Sequence, residues 1–241
     1  MQVKSNAIVL HALKFGDSQL IVDLLTEQMG RMSFICHIPV SKKAKIKKQF
    51  FQPLNLLSIE FDYRQNARLQ HFKDIRIADP FADIPFNARK LSICLFLSEF
   101  LTYATRDEQQ NAPLYKYVES SILWLDNSQH SFANFHLVFM MRLSRFIGFF
   151  PNLEHYSVGD FFDLRSGEFC QIPPLHTDFI RPDEASKIVL LMRMNYESMH
   201  LFKMSREERN RCIELIISYY RLHIPNFPEL KSLSILQELF V

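Results

Sequence analysis

Residues 7–37 read AIVLHALKFGDSQLIVDLLTEQMGRMSFICH, and this segment is the most informative about the N-terminal fold. It holds three short apolar runs of the length and composition typical of β-strands. Gly16–Asp17 and Gly30 separate the runs, where turn residues are expected between paired strands. The predicted strands are Ala7–Leu13, Leu20–Leu25 and Arg31–His37.

Two more strands follow. Leu54–Tyr63 alternates apolar and polar residues, which is the period of a half-buried strand, and Leu69–Ala78 has a similar pattern. Five short strands in about 80 residues fit a small closed barrel, and the OB-fold is the commonest five-stranded version. We therefore predict an OB-fold β-barrel that binds nucleic acid over residues 1–80.

Beyond the prolines of Asp79–Phe86 the pattern becomes helical. A hairpin signal surrounds Arg165-Ser166-Gly167, and Ser205 with Glu208 forms a capping box. The predicted class is α+β, with a mainly α-helical partner-binding domain over 81–241 and an inserted β-hairpin within about 158–181. Predicted helices cover Ala88–Ala104, the residues after Pro113, Asn134–Phe149, 183–195, Ser205 to about His223, and Pro228–Leu239.

Composition argues against several kinds of site. The chain has only 5 glycines and neither GxGxxG nor GxxxxGK[ST], so a nucleotide cofactor lacks its common motifs. The cysteines are far apart and form no CxxC pair, which argues against structural zinc and against a disulfide framework. We expect no cofactor, no metal, no signal peptide and no membrane span, and a cytoplasmic, nucleoid-associated protein. The four thiols, expected to be reduced, are Cys36, Cys94, Cys170 and Cys212.

Charge is distributed unevenly. Residues 1–80 carry 12 Lys+Arg against 7 Asp+Glu, whereas residues 81–241 carry 16 against 19. Five of these cations stand in seven positions, and no acid lies between Glu27 and Glu60. Such a cluster neutralises phosphates without reading sequence, so we predict a DNA-backbone site there. The alternative is a solvated surface loop. This basic run comprises Lys42, Lys43, Lys45, Lys47 and Lys48.

Weaker candidates for DNA contact lie at strand starts and turns. The cations are Lys14, Arg31, Arg64 and Arg68, and each has the alternative of an ordinary surface charge. Tyr63, beside a turn, is the best placed aromatic residue for stacking on a base.

The sequence gives weaker evidence for catalytic and partner-binding sites than for a DNA site. The nine histidines are scattered without HExxH or HxH, and we predict no catalytic residue and no enzyme. Arg142 and Arg145 lie on a predicted apolar helix. A cation beside an apolar pocket suits an acidic peptide with hydrophobic end residues, and intramolecular ion pairs are the alternative.

The residues assembled so far resemble the RecO family of bacterial recombination mediators. Residues 7–60 carry the resemblance most strongly, through Gly16-Asp17-Ser18, Gly30-Arg31 and the basic run before Gln52-Pro53. In the C-terminal part, the segments that fit the resemblance include Phe146-Ile147-Gly148-Phe149 and Gly167-Glu168-Phe169.

The resemblance implies an N-terminal OB-fold and a C-terminal helical domain. It also implies binding to single- and double-stranded DNA, strand annealing, and help in loading recombinase during RecF-pathway repair in the DNA damage response. The implied partners are RecR and the acidic, hydrophobic-ended tail of single-strand-binding protein. Some members carry a four-cysteine zinc module, from which this sequence departs because only Cys170 lies in the hairpin region.

We therefore interpret the chain as a non-enzymatic DNA-binding recombination mediator. Two alternatives stay open. One is a structural adaptor whose lysines meet an acidic protein, and the other is an unrecognised hydrolase.

Overall fold

The structure of the protein is a computed structural model that describes residues 1–38, 46–129 and 131–239. The chain forms two compact units. The first unit is Met1–Asn127 together with Leu230–Leu239, and the second is Ser128–Glu229. The first unit thus holds the β-rich segment and also helices from both sides of the second unit along the chain. The division at residue 80 stays a prediction about domains.

The first unit contains a five-stranded sheet of antiparallel neighbours in the order β3-β2-β1-β4-β5. The two edge strands meet through Gln70, whose N–H donates to the Ser33 carbonyl and whose carbonyl accepts from the Ile35 N–H, both at 2.9 Å. This parallel bridge closes the sheet, and the predicted OB-fold is confirmed. The strands are β1 (Gln2–Phe15), β2 (Gln19–Thr26), β3 (Gly30–His37), β4 (Leu56–Asp62) and β5 (Phe72–Asp79).

Inward-facing residues of the five strands fill the barrel. Phe34 lies at its centre, with its ring centroid 5.0 Å from that of Phe61 and 4.4 Å from that of Phe72. Full burial of one such side chain stabilises a fold by roughly 1.5–3 kcal/mol. In β1 the pairing with β2 shifts between Val9 and His11, which marks a β-bulge.

Three helices complete the first unit: α1 (Ala88–Ala104), α2 (Ala112–Asn127) and, after the second unit in sequence, α6 (Leu233–Leu239). The segment between β5 and α1 is held by the Asp126 carboxylate, which accepts hydrogen bonds from the amides of Ala82, Asp83 and Ile84 at 2.8, 3.0 and 2.8 Å. The fully buried Lys90 pairs with Asp83 at 2.7 Å.

The second unit is mainly helical. Its helices are α3 (Phe135–Leu143), α4 (Pro182–Arg193) and α5 (Arg206–His223), and its strands are β6 (Phe161–Asp163), β7 (Glu168–Cys170) and β8 (Phe179–Ile180). The predicted hairpin is present as β6 and β7, and β8 adds a third strand that the sequence did not predict. The capping box of Ser205 and Glu208 is confirmed at the start of α5.

Two helices are shorter than predicted. The helix predicted over Asn134–Phe149 ends at Leu143, because Arg145 and Phe146 donate to carbonyls three residues back and tighten the chain into turns. Arg145 therefore lies beyond the helix. The terminal helix begins at Leu233 rather than Pro228. Among the described residues, no helix combines the length and apolar character that a bilayer crossing needs.

Candidate nucleic-acid interface

The basic run is attached to the barrel on both sides. Lys42, Lys43 and Lys45 lie outside the described residues. On one side, the Ile38 amide donates to the Ser18 carbonyl in the turn between β1 and β2, at 2.7 Å. On the other, Lys47 and Lys48 are exposed at the start of the 3₁₀ turn Lys48–Phe51, and Phe51 is buried in the barrel core. The described lysines therefore face solvent directly beside a packed anchor.

Three of the weaker candidates come together. Arg31, Tyr63 and Arg68 line one concavity of about 280 Å³ at the end of the barrel where Gln70 joins β3. Tyr63 is half-buried and Arg68 is exposed. An aromatic ring beside a free guanidinium can stack on a base while the cation meets a phosphate.

Gln70 organises the loop beside this concavity, and sequence reasoning missed it. Its side-chain amide donates to the carbonyls of Arg64 and Ala67 at 2.9 and 2.8 Å, and its side-chain oxygen accepts from the Arg64 amide at 3.0 Å. The same residue closes the barrel through its backbone. A lone glutamine between a turn and a strand gives no signal of such a role in the sequence.

The Arg31 side chain forms an ion pair and a hydrogen bond within the first unit. Its guanidinium pairs with Asp23 at 3.1 Å and donates to the Thr102 carbonyl at 2.9 Å. Burial lowers the pKa of Arg31, and the Asp23 carboxylate opposes that shift. The side chain is 14% exposed, so a phosphate can reach only part of it.

Lys14 and Arg64 lie apart from the lining of the concavity. Lys14 is exposed near the end of β1, and Arg64 is exposed at the start of the loop that Gln70 holds. The structure thus gathers Arg31, Tyr63 and Arg68 at one place. DNA contact by any of these residues stays a prediction.

Two protein-family models match the chain, one on each side of residue 83. The family model described as "Recombination protein O N terminal" matches residues 1–81, and the one described as "Recombination protein O C terminal" matches residues 85–234. The chain belongs to the RecO family. Membership of this family supports a role in DNA repair and recombination.

Curated RecO relatives match along the full chain. "DNA repair protein RecO" of Bacteroides fragilis is 53% identical over 241 residues, with 100% of both chains covered. The proteins of that name from Phocaeicola vulgatus and Porphyromonas gingivalis are 51% and 33% identical, again with 100% of both chains covered. The resemblance to the RecO family found in the sequence is therefore confirmed.

In this RecO-family chain the two arginines considered for partner binding lie in the second unit. Arg142 Nε donates to the Met194 carbonyl at 3.1 Å, and Arg145 is exposed with its guanidinium carbon 4.4 Å from the centre of the Phe150 ring. Neither arrangement is an ion pair. A cation resting on an aromatic ring leaves N–H groups for an anion.

Three cysteines of this RecO-family chain, Cys36, Cys94 and Cys212, are buried thiols, which makes them poor nucleophiles. Burial raises the pKa of Cys36 and Cys212 to about 11 and that of Cys94 to about 12. A thiol with such a pKa is protonated at neutral pH and unreactive. Within the described ranges, no three His, Cys, Asp or Glu side chains are grouped to hold a metal ion.

Proposed function

We propose that the chain is a non-enzymatic recombination mediator that binds and anneals single-stranded DNA and helps to load recombinase. The observation that carries this proposal is the basic run joined to a closed OB-fold barrel. Family membership supports the biological setting, and the barrel supplies a rigid support for cations that hold a flexible polyanion. Action in the cytoplasm, on the nucleoid, stays a prediction.

Annealing follows from the same cations. Two complementary strands repel each other through their phosphates, and a dense group of lysines lowers that repulsion. Base pairing then decides the outcome, and no nucleotide hydrolysis is needed. Lysines that contact only phosphates give no preference for sequence.

Replacement of all five lysines of the basic run by alanine tests the DNA site. Each phosphate contact to a single strand contributes about 0.7 to the dependence of log affinity on log salt concentration. The quintuple variant should lower that slope by as much as about 3.5 and weaken binding at low salt. Fluorescence anisotropy with a labelled oligonucleotide at several salt concentrations measures both.

A matched control removes two cations from another face of the barrel. Lys4 and Lys73 pair with Glu60 at 3.3 and 3.8 Å, so Lys4→Ala/Lys73→Ala should leave the slope unchanged. Lys47→Ala/Lys48→Ala, with the same change of charge, should lower it by about 1.4. If the quintuple variant keeps the affinity and slope of the original chain, the lysines are not the DNA site, and the alternative of an acidic protein partner gains support.

The second unit is proposed to receive protein partners, namely RecR and the tail of single-strand-binding protein. Arg145, exposed over the Phe150 ring, supports an acidic peptide with apolar end residues as a ligand. Arg142→Ala/Arg145→Ala should weaken binding of such a peptide about tenfold, as the loss of one charge-assisted contact does. Isothermal titration with a synthetic acidic tail peptide measures the change.

The control for the peptide is Arg193→Ala/Arg221→Ala, which removes two exposed arginines from the same unit. Equal affinity of the original chain and the Arg142→Ala/Arg145→Ala variant would place the peptide site elsewhere.

A further inference from the structure

The loop that joins β7 to β8 in the second unit presents two large apolar side chains to solvent. Residues 171–176 read QIPPLH, and Ile172 and Leu175 flank the two prolines. Ile172 is 78% exposed and Leu175 is fully exposed. Single exposed apolar residues are ordinary, whereas two that flank a pair of prolines form a continuous apolar surface. Residues 172–175 thus form an exposed apolar ridge.

The prolines determine the shape of the ridge. A proline holds its own φ at roughly −65° and restricts the residue before it to extended conformations, which applies to Ile172 and to Pro173. The chain bends at residues 171–172 and at residues 175–177, and it runs without a bend through Pro173 and Pro174. An extended chain of this kind has three residues per turn, which places Ile172 and Leu175 on the same edge.

Strand β6 holds the ridge from both ends. Before the ridge, Cys170 of β7 pairs with Phe161, and after it Phe179 of β8 pairs with Asp163. His176 Nε2 lies 3.4 Å from a carboxylate oxygen of Asp163. The ridge is therefore preorganised, and a partner that binds it loses little free energy in ordering the loop.

The first unit contains an apolar groove of about 580 Å³, lined by parts of β1, α1 and α6 and by the end of the 3₁₀ turn Lys48–Phe51. More than half of its lining residues are apolar or aromatic. Leu95 of α1 is 42% exposed and Ile235 of α6 is 58% exposed. Phe51 and Tyr103 add aromatic rings to the lining. Aromatic-lined grooves are the sites that extended, proline-containing segments bind.

Two polar groups in the wall of the groove already have partners. The Leu10 carbonyl, at the bulge of β1, accepts a hydrogen bond from the Ser98 hydroxyl of α1. The Glu99 carboxylate accepts from the amides of Lys231 and Ser232. A ligand in the groove therefore meets mainly apolar and aromatic side chains.

The charges around the ridge and the groove are opposite. Residues 151–181, which contain the ridge, carry five acids against two arginines. Lys231 lines the groove, Lys48 begins the 3₁₀ turn that ends at Phe51, and both lysines are exposed. Complementary charges guide the encounter of two surfaces and fix their orientation.

We propose that the ridge of one copy of the chain binds in the groove of a second copy. The ridge belongs to the second unit and the groove to the first, so every copy supplies both halves of the contact. Association through two different surfaces is head-to-tail, and it adds copies until a ring closes. The proposal goes beyond the proposed function and does not depend on it, because the contact needs no DNA.

A proline-rich peptide of another protein is the other occupant that the groove suggests. The ridge fits better, because the chain itself supplies a preorganised segment of matching chemistry beside acids that complement the lysines of the groove.

The test compares a ridge variant, Ile172→Ser/Leu175→Ser, with a groove variant, Leu95→Gln/Ile235→Gln, and neither changes the charge. A small interface is weak, so the sedimentation coefficient of the original chain should rise between about 1 µM and about 200 µM protein. Each variant alone should weaken this self-association at least about tenfold, as expected for the loss of two apolar anchors.

An equimolar mixture of the two variants should associate again. The intact groove of the ridge variant can receive the intact ridge of the groove variant, and the assembly must stop at a one-to-one complex because neither free end can bind another copy. The matched control is Val158→Ser/Leu201→Ser, which removes two other apolar residues of the second unit, 94% and 70% exposed. The control should associate as the original chain does.

Three outcomes overturn the proposal. The first is an original chain that stays monomeric over the whole concentration range, which would leave the groove to a foreign peptide. The second is a mixture of the two variants that does not associate. The third is a groove variant that associates as strongly as the original chain, which would place the partner of the ridge elsewhere.

Photo-cross-linking keeps the proposal testable if a variant unfolds. Benzoylphenylalanine at position 175 should give a covalent dimer on illumination, and mass spectrometry should find the cross-link within residues 95–103 or 231–235. Cross-links confined to one copy, or formed with other segments of the second copy, contradict the contact. Either result leaves the proposed function untouched, because DNA binding by the basic run is measured separately.

Discussion

At the scale of single residues, Gly30 of the barrel leaves no room for a side chain. Its φ is +68°, and a Cβ there would clash with the Gln109 carbonyl and lie 2.7 Å from the Glu108 oxygen. Gly30→Ala should therefore lower the free energy of unfolding by about 2 kcal/mol or more, which urea denaturation measures. Gly16 is the control, because its φ is +64° and, apart from its two chain neighbours, no residue of the described chain has a heavy atom within 4 Å of where a Cβ would stand. Gly16→Ala should cost only the backbone strain of about 1 kcal/mol. Equal losses in the two variants would mean that the clash is relieved.

At the scale of elements, one carboxylate of α4 forms an ion pair with an arginine of α5. Glu184 accepts two hydrogen bonds from Arg211 at 2.6 Å, and these lower the pKa of Glu184 from 4.5 to about 2. A lowered pKa means that the ionised form is stabilised in the folded state, so the contribution is complete above about pH 5 and disappears as the pH falls toward 2. Solvent screening at this partly exposed site limits it to about 1 kcal/mol.

Glu184→Gln should accordingly destabilise the protein at pH 7 and have little effect at pH 2.5. Urea denaturation at both pH values, followed by circular dichroism, measures the difference. The exposed Glu197 provides the control, since Glu197→Gln should change stability little at either pH. A constant difference between the original chain and Glu184→Gln at both pH values would show that the ion pair does not stabilise the fold.

At the scale of the whole molecule, residues 230–239 belong with the first unit. The Glu99 carboxylate of α1 accepts from the amides of Lys231 and Ser232 at 3.0 and 2.8 Å, and Leu236 is 1% exposed. Removal of residues 230–241 should destabilise the first unit by about 3 kcal/mol or more, because buried leucine surface is lost. Hydrogen exchange should then show reduced protection in α1 and unchanged protection in α5. Reduced protection in both helices to the same extent would contradict this assignment.

Features set by local pattern could be predicted from the sequence. Alternation through Leu57, Ile59 and Phe61 identified a strand, and the spacing of Ser205 and Glu208 identified a helix start. The RecO resemblance over residues 7–60 identified the family.

Contacts and strand registers that join segments far apart in the sequence could not be predicted. The bulge between Val9 and His11 changes which face a residue occupies without changing the apolar pattern. The closure of the barrel by Gln70 and the pairing of Arg31 with Asp23 are likewise contacts between separate segments. The charge of the basic run was evident from the sequence, whereas the closed barrel between whose strands it lies along the chain required the structure.

The discontinuity of the first unit has a consequence for how the protein is made. Residues 230–239 leave the ribosome only after the second unit has been translated, and at about 5–20 residues per second that interval is roughly 5 to 20 seconds. During it the nascent barrel and α1 are already complete, while the partner of Glu99 is missing. The apolar surface of α1 that α6 covers is therefore exposed in the growing chain until residues 230–239 have been synthesised.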